Sequence, residues 1–188
     1  MQYRKIPKTD EELSILGFGC MRLPEKRGKI DEKRAKKQLF LAIDEGVNYF
    51  DTAMPYHMGA SETFLGKALS EGGVREKINI ATKLPHWSVN QPEDMEQIIK
   101  AQLKKLQTDY IDYYLLHALN GESFNKLKEL GVFEFLSDLK VNGIIRNAGF
   151  SFHGRRKDFK KIIDAYDWEF CQIQYNYLDV KNQAGKKD

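Results

Sequence analysis

Residues 48–69 read NYFDTAMPYHMGASETFLGKAL, and this stretch decides the fold. It begins as a short apolar strand and ends as a helix that we expect Ser61 to open. Between them lies a loop that carries the carboxylate of Asp51, the phenol of Tyr56 and an imidazole. Parallel α/β barrels build their active sites from polar side chains at strand ends and in the loops that follow. The stretch therefore predicts an α/β fold with a functional site after this strand.

The bulk composition excludes several other classes of protein. The chain has 188 residues, with 30 basic and 27 acidic side chains and a formal net charge of +3. This length predicts a single domain, and the mixed charges argue against a nucleic-acid-binding surface. The apolar runs have strand length, and no apolar signal segment follows the first residues, so we expect neither a transmembrane helix nor secretion. Cys20 and Cys171 lie in predicted apolar strands and should be the reduced thiols of a cytoplasmic protein.

Strand-like segments alternate with amphipathic helical segments along the chain, which indicates βαβ crossovers and a parallel sheet. The predicted strands are residues 14–23, 47–53, 78–84, 111–117, 144–151 and 170–175. Helices are predicted after Asp31, from Ser61, from Pro92, over 124–141 with a break near Gly131, and over 159–166.

Two parallel architectures compete, a doubly wound open sheet and a (β/α)8 barrel. The dinucleotide-binding open sheet needs a Gly-x-Gly-x-x-Gly turn that leads into its first helix. Here Gly17 and Gly19 lie inside the first predicted strand, and no third glycine follows at that spacing. Polar residues are also spread over the ends of the second, third and fourth strands, which favours the barrel.

The number of predicted units is smaller than a barrel requires. Six βα units are visible, whereas a complete barrel has eight and about 250 residues. We therefore expect residues 1–188 to form a single barrel domain, truncated after the sixth βα unit, with strands seven and eight absent. Strands one and six would then be edges with unpaired backbone groups, which can template self-association.

Titratable side chains follow successive predicted strands. Asp51 and Tyr56 follow the second strand, Lys83 ends the third and His117 ends the fourth. A tyrosine phenol, with a pKa of about 10, is a poor acid at neutral pH, but a nearby lysine cation stabilises the phenolate, and a buried carboxylate keeps that lysine charged. A histidine can orient a carbonyl oxygen or help to relay the proton. Trp87, after the third strand, could line the same pocket or lie on the surface.

This set of four side chains resembles the catalytic tetrad of the aldo-keto reductases. The resemblance implies the (β/α)8 TIM barrel of that family and NAD(P)H-dependent reduction of an aldehyde or ketone to an alcohol. Tyr56 would be the general acid, and Lys83 would stabilise its phenolate. Asp51 would pair with Lys83, and His117 would position the substrate carbonyl. The hydride would come from C4 of a reduced nicotinamide.

Three later blocks extend the resemblance. Residues 106–117 resemble the second signature of the family. Residues 143–151 resemble the segment that ends in a serine holding the nicotinamide carboxamide, here Ser151. Residues 172–176 resemble the strand whose first glutamine, Gln172, contacts the same group. The resemblance thus implies NADPH, with NADH as the alternative, and no metal.

The resemblance also has departures. Many members follow the serine with asparagine, whereas Phe152 and His153 follow here, so an asparagine contact is lost or taken over by His153. The residues that grip the adenosine phosphate belong to the absent units, which leaves the choice between NADPH and NADH open. Residues 18–24 and 55–59 resemble a microbial subgroup whose longer members end in a ferredoxin-like iron–sulfur segment.

Two further functions stay open at this point. Proteins of this fold family can serve as non-catalytic binding or regulatory subunits. A metal-dependent barrel hydrolase could use Asp51, His57 and His117, although the first strand, which ends at Leu23, offers no ligand. The reductase interpretation expects a small-molecule carbonyl substrate, and neither nucleic acid nor membrane as a partner.

Overall fold

A parallel sheet and its crossover helices make up most of the computed structural model, which describes residues 1–175 and 178. The strands are β1 (Tyr3–Lys5), β2 (Glu12–Ser14), β3 (Phe18–Gly19), β4 (Glu25–Lys26), β5 (Lys29–Ile30), β6 (Tyr49–Asp51), β7 (Asn79–Leu84), β8 (Ile111–Leu119), β9 (Ile145–Phe152) and β10 (Phe170–Ile173). The α-helices are α1 (Glu32–Asp44), α2 (Ala60–Gly72), α3 (Pro92–Leu106), α4 (Gly121–Glu129), α5 (Val132–Val141) and α6 (Arg156–Ile163).

The central sheet joins six parallel strands in the order in which they occur along the chain, from β3 through β6, β7, β8 and β9 to β10. Each of these strands pairs with the next one, and helices cross over between them. A doubly wound sheet reverses its strand order at a switch point, and the described strands show no reversal. The predicted barrel-type arrangement is therefore confirmed.

The two faces of the sheet have different apolar clusters. The larger cluster lies between the strands and the helices and includes Ile80, Leu84 and Leu116. Alternate residues of the same strands, including Ala81 and Leu115, join a second cluster on the interior side of the sheet. Nearly every residue of β7 and β8 is buried, as expected for parallel strands that are covered on both faces.

The first predicted strand, residues 14–23, is wrong in extent. Only β3 pairs with β6, and Cys20–Arg22 form a short 3-10 turn after it. β2 instead pairs with β1 in an antiparallel hairpin. Ser14 lies in this hairpin and is tied to the residue before β6, because its backbone N–H donates to Oδ1 of Asn48 over 2.7 Å and its hydroxyl accepts from the Asn48 N–H over 3.1 Å.

Glu11, in the turn of the β1–β2 hairpin, connects this hairpin to the N-terminal halves of β8 and β9. The carboxylate of Glu11 accepts a hydrogen bond from the Tyr113 hydroxyl over 2.6 Å and from Nδ2 of Asn147 over 3.2 Å. The sequence did not predict this hairpin, because β1 is short, polar and fully exposed and therefore lacks an apolar alternation.

The helix ends mostly follow the sequence. The side chain of Asp31 accepts a backbone N–H at the start of α1, as predicted. Pro92 lies in the first turn of α3, and Gly131, with a φ of 77°, separates α4 from α5. The last helix, α6, ends at Ile163, three residues before the predicted end.

The start of α2 differs from the prediction. The helix begins at Ala60, and Gly59, in a left-handed conformation, precedes it with no side-chain cap. Ser61 does not open the helix, because its buried hydroxyl binds the Thr52 hydroxyl over 2.8 Å and donates to the carbonyl oxygen of Cys20 over 3.0 Å. These two contacts join the start of α2 to the end of β6 and to the turn after β3.

Cys20 and Cys171 both have free thiols, as predicted. Cys20 is buried at the start of the 3-10 turn rather than inside a strand, and Cys171 is half-buried in β10. Burial raises the pKa of both thiols. In the part of the chain that the structure describes, none of the helices has the length and apolar character needed to span a bilayer.

Candidate active site

The C-terminal ends of neighbouring strands carry the side chains that the sequence singled out. Asp51 is the last residue of β6, Lys83 is the penultimate residue of β7, and His117 and Ser151 lie near the ends of β8 and β9. Lys83 falls on the same face of β7 as the interior residue Ala81, because side chains alternate along a strand. Parallel pairing therefore brings these groups to one end of the sheet.

Lys83 is the centre of the site. Its ammonium group is buried and donates to Oδ1 of Asp51 over 2.6 Å, to the carbonyl oxygen of Thr52 over 2.8 Å and to the hydroxyl of Tyr56 over 3.3 Å. A lysine ammonium has three protons, so all three are used. The Thr52 contact could not be predicted from the sequence, because a backbone carbonyl carries no residue-specific signal.

Asp51 supplies the negative charge beside this cation. Burial raises the pKa of its carboxyl above the usual value, while the charge and hydrogen bond of Lys83 and a hydrogen bond from the Gln172 side chain act in the opposite direction. The short contact to Lys83 shows how a charged ammonium group is accommodated in a site from which water is largely excluded.

Tyr56 lies in the loop between β6 and α2, half-buried above Lys83. The lysine Nζ is 4.9 Å from the centre of the phenol ring, in addition to its contact with the hydroxyl. The ring also meets His117 edge-on, with 6.2 Å between ring centroids. On its other side, His117 contacts the half-exposed ring of Trp87, with 5.0 Å between centroids. The three rings and the lysine thus face one common space.

His117 is buried and electrically neutral at neutral pH. Its pKa is lowered to about 3, mainly by burial and then by the charges of Lys83, His153 and His86. In the described part of the chain, Nδ1 of this ring is buried and has no hydrogen-bond partner. Buried polar atoms in folded proteins are almost always paired, so an unpaired nitrogen here indicates a position that a ligand or water would complete.

Ser151 and Gln172 are direct neighbours in the pairing of β9 with β10. The Ser151 hydroxyl oxygen accepts the backbone N–H of Ala118 over 2.7 Å, which leaves its own proton available to a ligand. Ala118 has a φ of 50° and lies where the β8–β9 pairing shifts register. Oε1 of Gln172 is the second buried atom of this site that has no partner within the described residues. Residue 176, the last of the block that begins at Gln172, lies outside the described residues.

The metal-hydrolase alternative has no site in the part of the chain that the structure describes. His57, one of its three proposed ligands, is turned away: Nε2 accepts the backbone N–H of Leu23 over 3.0 Å, and Nδ1 binds the Glu25 carboxylate over 2.9 Å. Within residues 1–175 and 178, no group of three or more histidine, cysteine, aspartate or glutamate side chains is placed to hold a metal ion.

Known proteins resemble this chain in sequence and in fold. Residues 15–186 match the model of the aldo/keto reductase family. The chain belongs to this family. A solved aldo-keto reductase, AKR11C1 from Bacillus halodurans in its holo form, covers 96% of the chain at 32% identity with a TM-score of 0.81. That match confirms the (β/α) barrel fold.

Two further relatives show the same relationship. Aldo-keto reductase YhdN from Bacillus subtilis is 36% identical over 125 residues, which is 62% of this chain and 38% of the relative. An aldo/keto reductase from Klebsiella pneumoniae, solved in complex with NADP and acetate, covers 84% of the chain at 25% identity with a TM-score of 0.69. The chain covers 60% of the Bacillus halodurans structure and 52% of the Klebsiella structure, so it spans about half the length of its relatives.

Proposed function

We propose that this protein reduces the carbonyl group of a small aldehyde or ketone to an alcohol, with NADPH as the hydride donor and Tyr56 as the proton donor. The observation that carries the proposal is the single buried ammonium group of Lys83, which contacts Asp51, Thr52 and the Tyr56 hydroxyl at once. Family membership supports it, because reduction of aldehydes and ketones is the activity that the family's name describes.

The proton-transfer step follows from the charges of the site. The carbonyl oxygen gains negative charge as it is reduced, and the Tyr56 hydroxyl gives it a proton. The phenolate that remains lies beside the Lys83 cation, which stabilises it, and Asp51 and Thr52 hold that cation in place. A positioned general acid of this kind contributes a factor of about 10²–10⁴ to the rate.

His117 would hold the substrate oxygen. Because its pKa is depressed to about 3, the ring is neutral and keeps one N–H for a hydrogen bond to the carbonyl oxygen. A charged imidazolium at this position would add a second cation close to Lys83, which burial and the lysine charge both oppose. Trp87 would form an apolar wall beside the same oxygen.

The polar groups of Ser151 and Gln172 fit a nicotinamide carboxamide. The carboxamide has one acceptor oxygen and an NH₂ donor. Among the residues that the structure describes, the hydroxyl proton of Ser151 and the buried Oε1 of Gln172 have no partner. When bound, the cofactor would supply the hydride. The Klebsiella relative was solved with NADP, which is why we propose NADPH rather than NADH.

Self-association is also part of the proposal. Within the described residues, β3 pairs only with β6, and β10 pairs only with β9, so each has one unpaired edge. Unpaired edges offer backbone donors and acceptors to another chain. Sedimentation velocity over a range of concentrations should show species larger than the 21.8 kDa monomer; a single monomeric boundary throughout would contradict it.

Cofactor binding and turnover can be tested separately. Titration with NADPH and with NADH, followed by Trp87 fluorescence, should give saturable quenching in the micromolar range, or about −8 kcal/mol. Trp87→Phe serves as the control for the origin of the signal. Loss of NADPH absorbance is then followed with a panel of aldehydes and ketones. Binding without turnover of any carbonyl would favour the non-catalytic subunit, and absence of binding would contradict the proposed cofactor site.

A further inference from the structure

The loop that carries Tyr56 has an unusual backbone. His57, Met58 and Gly59 follow it with φ values of 50°, 54° and 91°, so three consecutive residues are left-handed. Glycine adopts this conformation freely, but the other two residues need support from their surroundings. The side chain of Met58 is 99% exposed and gives none. Part of the support comes from the backbone, because the Ala60 N–H donates to the carbonyl oxygens of Tyr56 and His57, and the side-chain part comes from His57.

The His57 side chain is only 6% exposed, and both of its ring nitrogens have protein partners. Nε2 accepts the backbone N–H of Leu23 over 3.0 Å, and Nδ1 lies 2.9 Å from the carboxylate of Glu25. A nitrogen that accepts a backbone N–H carries no proton, so the proton of the neutral ring is on Nδ1 and is donated to Glu25. The two contacts together select one tautomer.

The partners of His57 are themselves fixed. Leu23 is buried, and the carbonyl oxygen of the next residue, Pro24, accepts the N–H of Asp31 over 2.7 Å at the start of α1. Glu25 lies in β4, which pairs with β5. Beyond the end of the loop, the Ser61 hydroxyl binds Thr52 and Cys20. The segment that follows Tyr56 is thus attached to the turn after β3 at two points, His57 and Ser61.

We propose that His57 is a positioning residue: through Leu23 and Glu25 it holds the loop so that the Tyr56 hydroxyl stays within reach of Lys83. This inference rests on the proposed function of Tyr56. The hydroxyl contact is the longest of the three made by Lys83, at 3.3 Å against 2.6 Å and 2.8 Å, and it depends on the position of the loop backbone that carries Tyr56. A displacement of about 1 Å at a reacting group can cost about 10²-fold in rate.

The kinetic test uses His57→Ala, His57→Gln and the control Met58→Ala. His57→Ala removes both contacts and should lower kcat by about 10- to 100-fold while KM for NADPH changes by less than about twofold. His57→Gln keeps an acceptor for the Leu23 N–H and should recover part of the loss. Met58→Ala alters an exposed side chain in the same left-handed segment and should leave kcat unchanged. Wild-type kcat in His57→Ala would overturn the proposal.

A second measurement does not depend on turnover. The chain has 4 histidines, so ring ¹⁵N–¹H spectra can be assigned with single variants. His57 should show a neutral ring protonated at Nδ1. Because the Tyr56 ring meets His117 edge-on, His57→Ala should also shift the His117 ring protons, whereas Met58→Ala should not. A His57 ring protonated at Nε2, or His117 ring protons that do not shift, would refute the positioning role of His57 even if the protein did not reduce carbonyls.

Discussion

Two buried carboxylate–cation pairs lie near opposite ends of the sheet. They differ in the groups that receive the other hydrogen bonds of the cation. Asp51 and Lys83 lie at the C-terminal strand ends. Asp112, the second residue of β8, lies near the other end, and its Oδ2 accepts from Arg75 over 2.8 Å and from the backbone N–H of Ile80 over 2.9 Å. Burial raises the pKa of both carboxyls.

The two cations, Arg75 and Lys83, donate their other hydrogen bonds to different kinds of group. Arg75 uses its other donors on the Ile78 and Tyr110 carbonyl oxygens and on the Thr108 hydroxyl, and therefore ties together the starts of β7 and β8. Lys83 instead directs one donor to the phenol of Tyr56, beside His117, whose Nδ1 is unpaired within the described residues. The residue types alone do not separate a structural pair from one proposed to be catalytic. What separates them is a contact left for a third, reactive group, on the face where barrels carry active sites.

The largest effect is expected for Lys83→Met. The substitution keeps the length of the side chain but removes the cation, so the phenolate of Tyr56 loses its stabilisation. Turnover should fall by about 10²–10⁴-fold. Steady-state carbonyl reduction measures this, with protein folding checked by circular dichroism. A folded variant that keeps wild-type turnover would remove Lys83 from the proposed mechanism.

Arg75→Met should lower the stability of the protein and leave its turnover nearly unchanged. It leaves the buried Asp112 carboxyl without its main partner and frees several backbone acceptors, so the free energy of unfolding should fall by about 3 kcal/mol. Turnover per folded molecule should stay within about twofold, since the proposed catalytic groups lie at the other end of the sheet. Urea denaturation gives the first quantity. Loss of turnover without loss of stability would contradict the structural role assigned to the Asp112–Arg75 pair.

Acidification should destabilise the native protein through His117. Its native pKa is about 3, against 6.5 for an ordinary histidine, so between these values the unfolded chain binds a proton that the native state does not. The free energy of unfolding should therefore fall as pH decreases below 6.5, by up to about 1.4 kcal/mol per pH unit. The raised pKa values of Asp51 and Asp112 act in the opposite direction, because each native carboxyl binds a proton at a higher pH than the unfolded one.

His117→Asn isolates this contribution. Urea unfolding of the wild type and the variant at several pH values should show a weaker dependence on pH in the variant, because asparagine does not titrate. Equal slopes in the two proteins would contradict the buried, neutral state of His117.

The smallest effect is expected for Thr82→Val, one residue before Lys83. Thr82 faces the helices, where its hydroxyl donates to the buried Glu62 carboxylate over 2.7 Å, and Gln102 donates to the same oxygen over 2.8 Å. Losing one of these two hydrogen bonds should cost about 1–2 kcal/mol of stability. Turnover should not change, because adjacent side chains of a strand lie on opposite faces. A large loss of turnover in a stable variant would show that the two faces are coupled.

The sequence predicts those site residues whose place in the site follows from their position at the end of a strand. Asp51, Lys83 and His117 each end a strongly apolar segment, and parallel pairing places such ends side by side. The alternation of elements likewise predicted most helices and the barrel order. The structure also placed Tyr56 next to Lys83, as the loop length allowed.

The remaining features depend on contacts that carry no local signal. The first predicted strand is divided because Ser14 pairs with β1 and is tied to Asn48, which lies 34 positions away. The start of α2 is set by tertiary bonds of the Ser61 hydroxyl rather than by capping. The Thr52 carbonyl and the left-handed Ala118 act through the backbone, whose partners are fixed only once the sheet has formed.

The most direct test of the account is turnover of Tyr56→Phe compared with Tyr110→Phe. Both variants lose one phenol hydroxyl, but that of Tyr110 binds the exposed Glu76 away from the site. Tyr56→Phe should lose carbonyl reduction by about 10²–10⁴-fold while NADPH affinity is retained, and Tyr110→Phe should match the wild type in both. Carbonyl reduction at the wild-type rate in a folded Tyr56→Phe variant would contradict the role of Tyr56 as the proton donor.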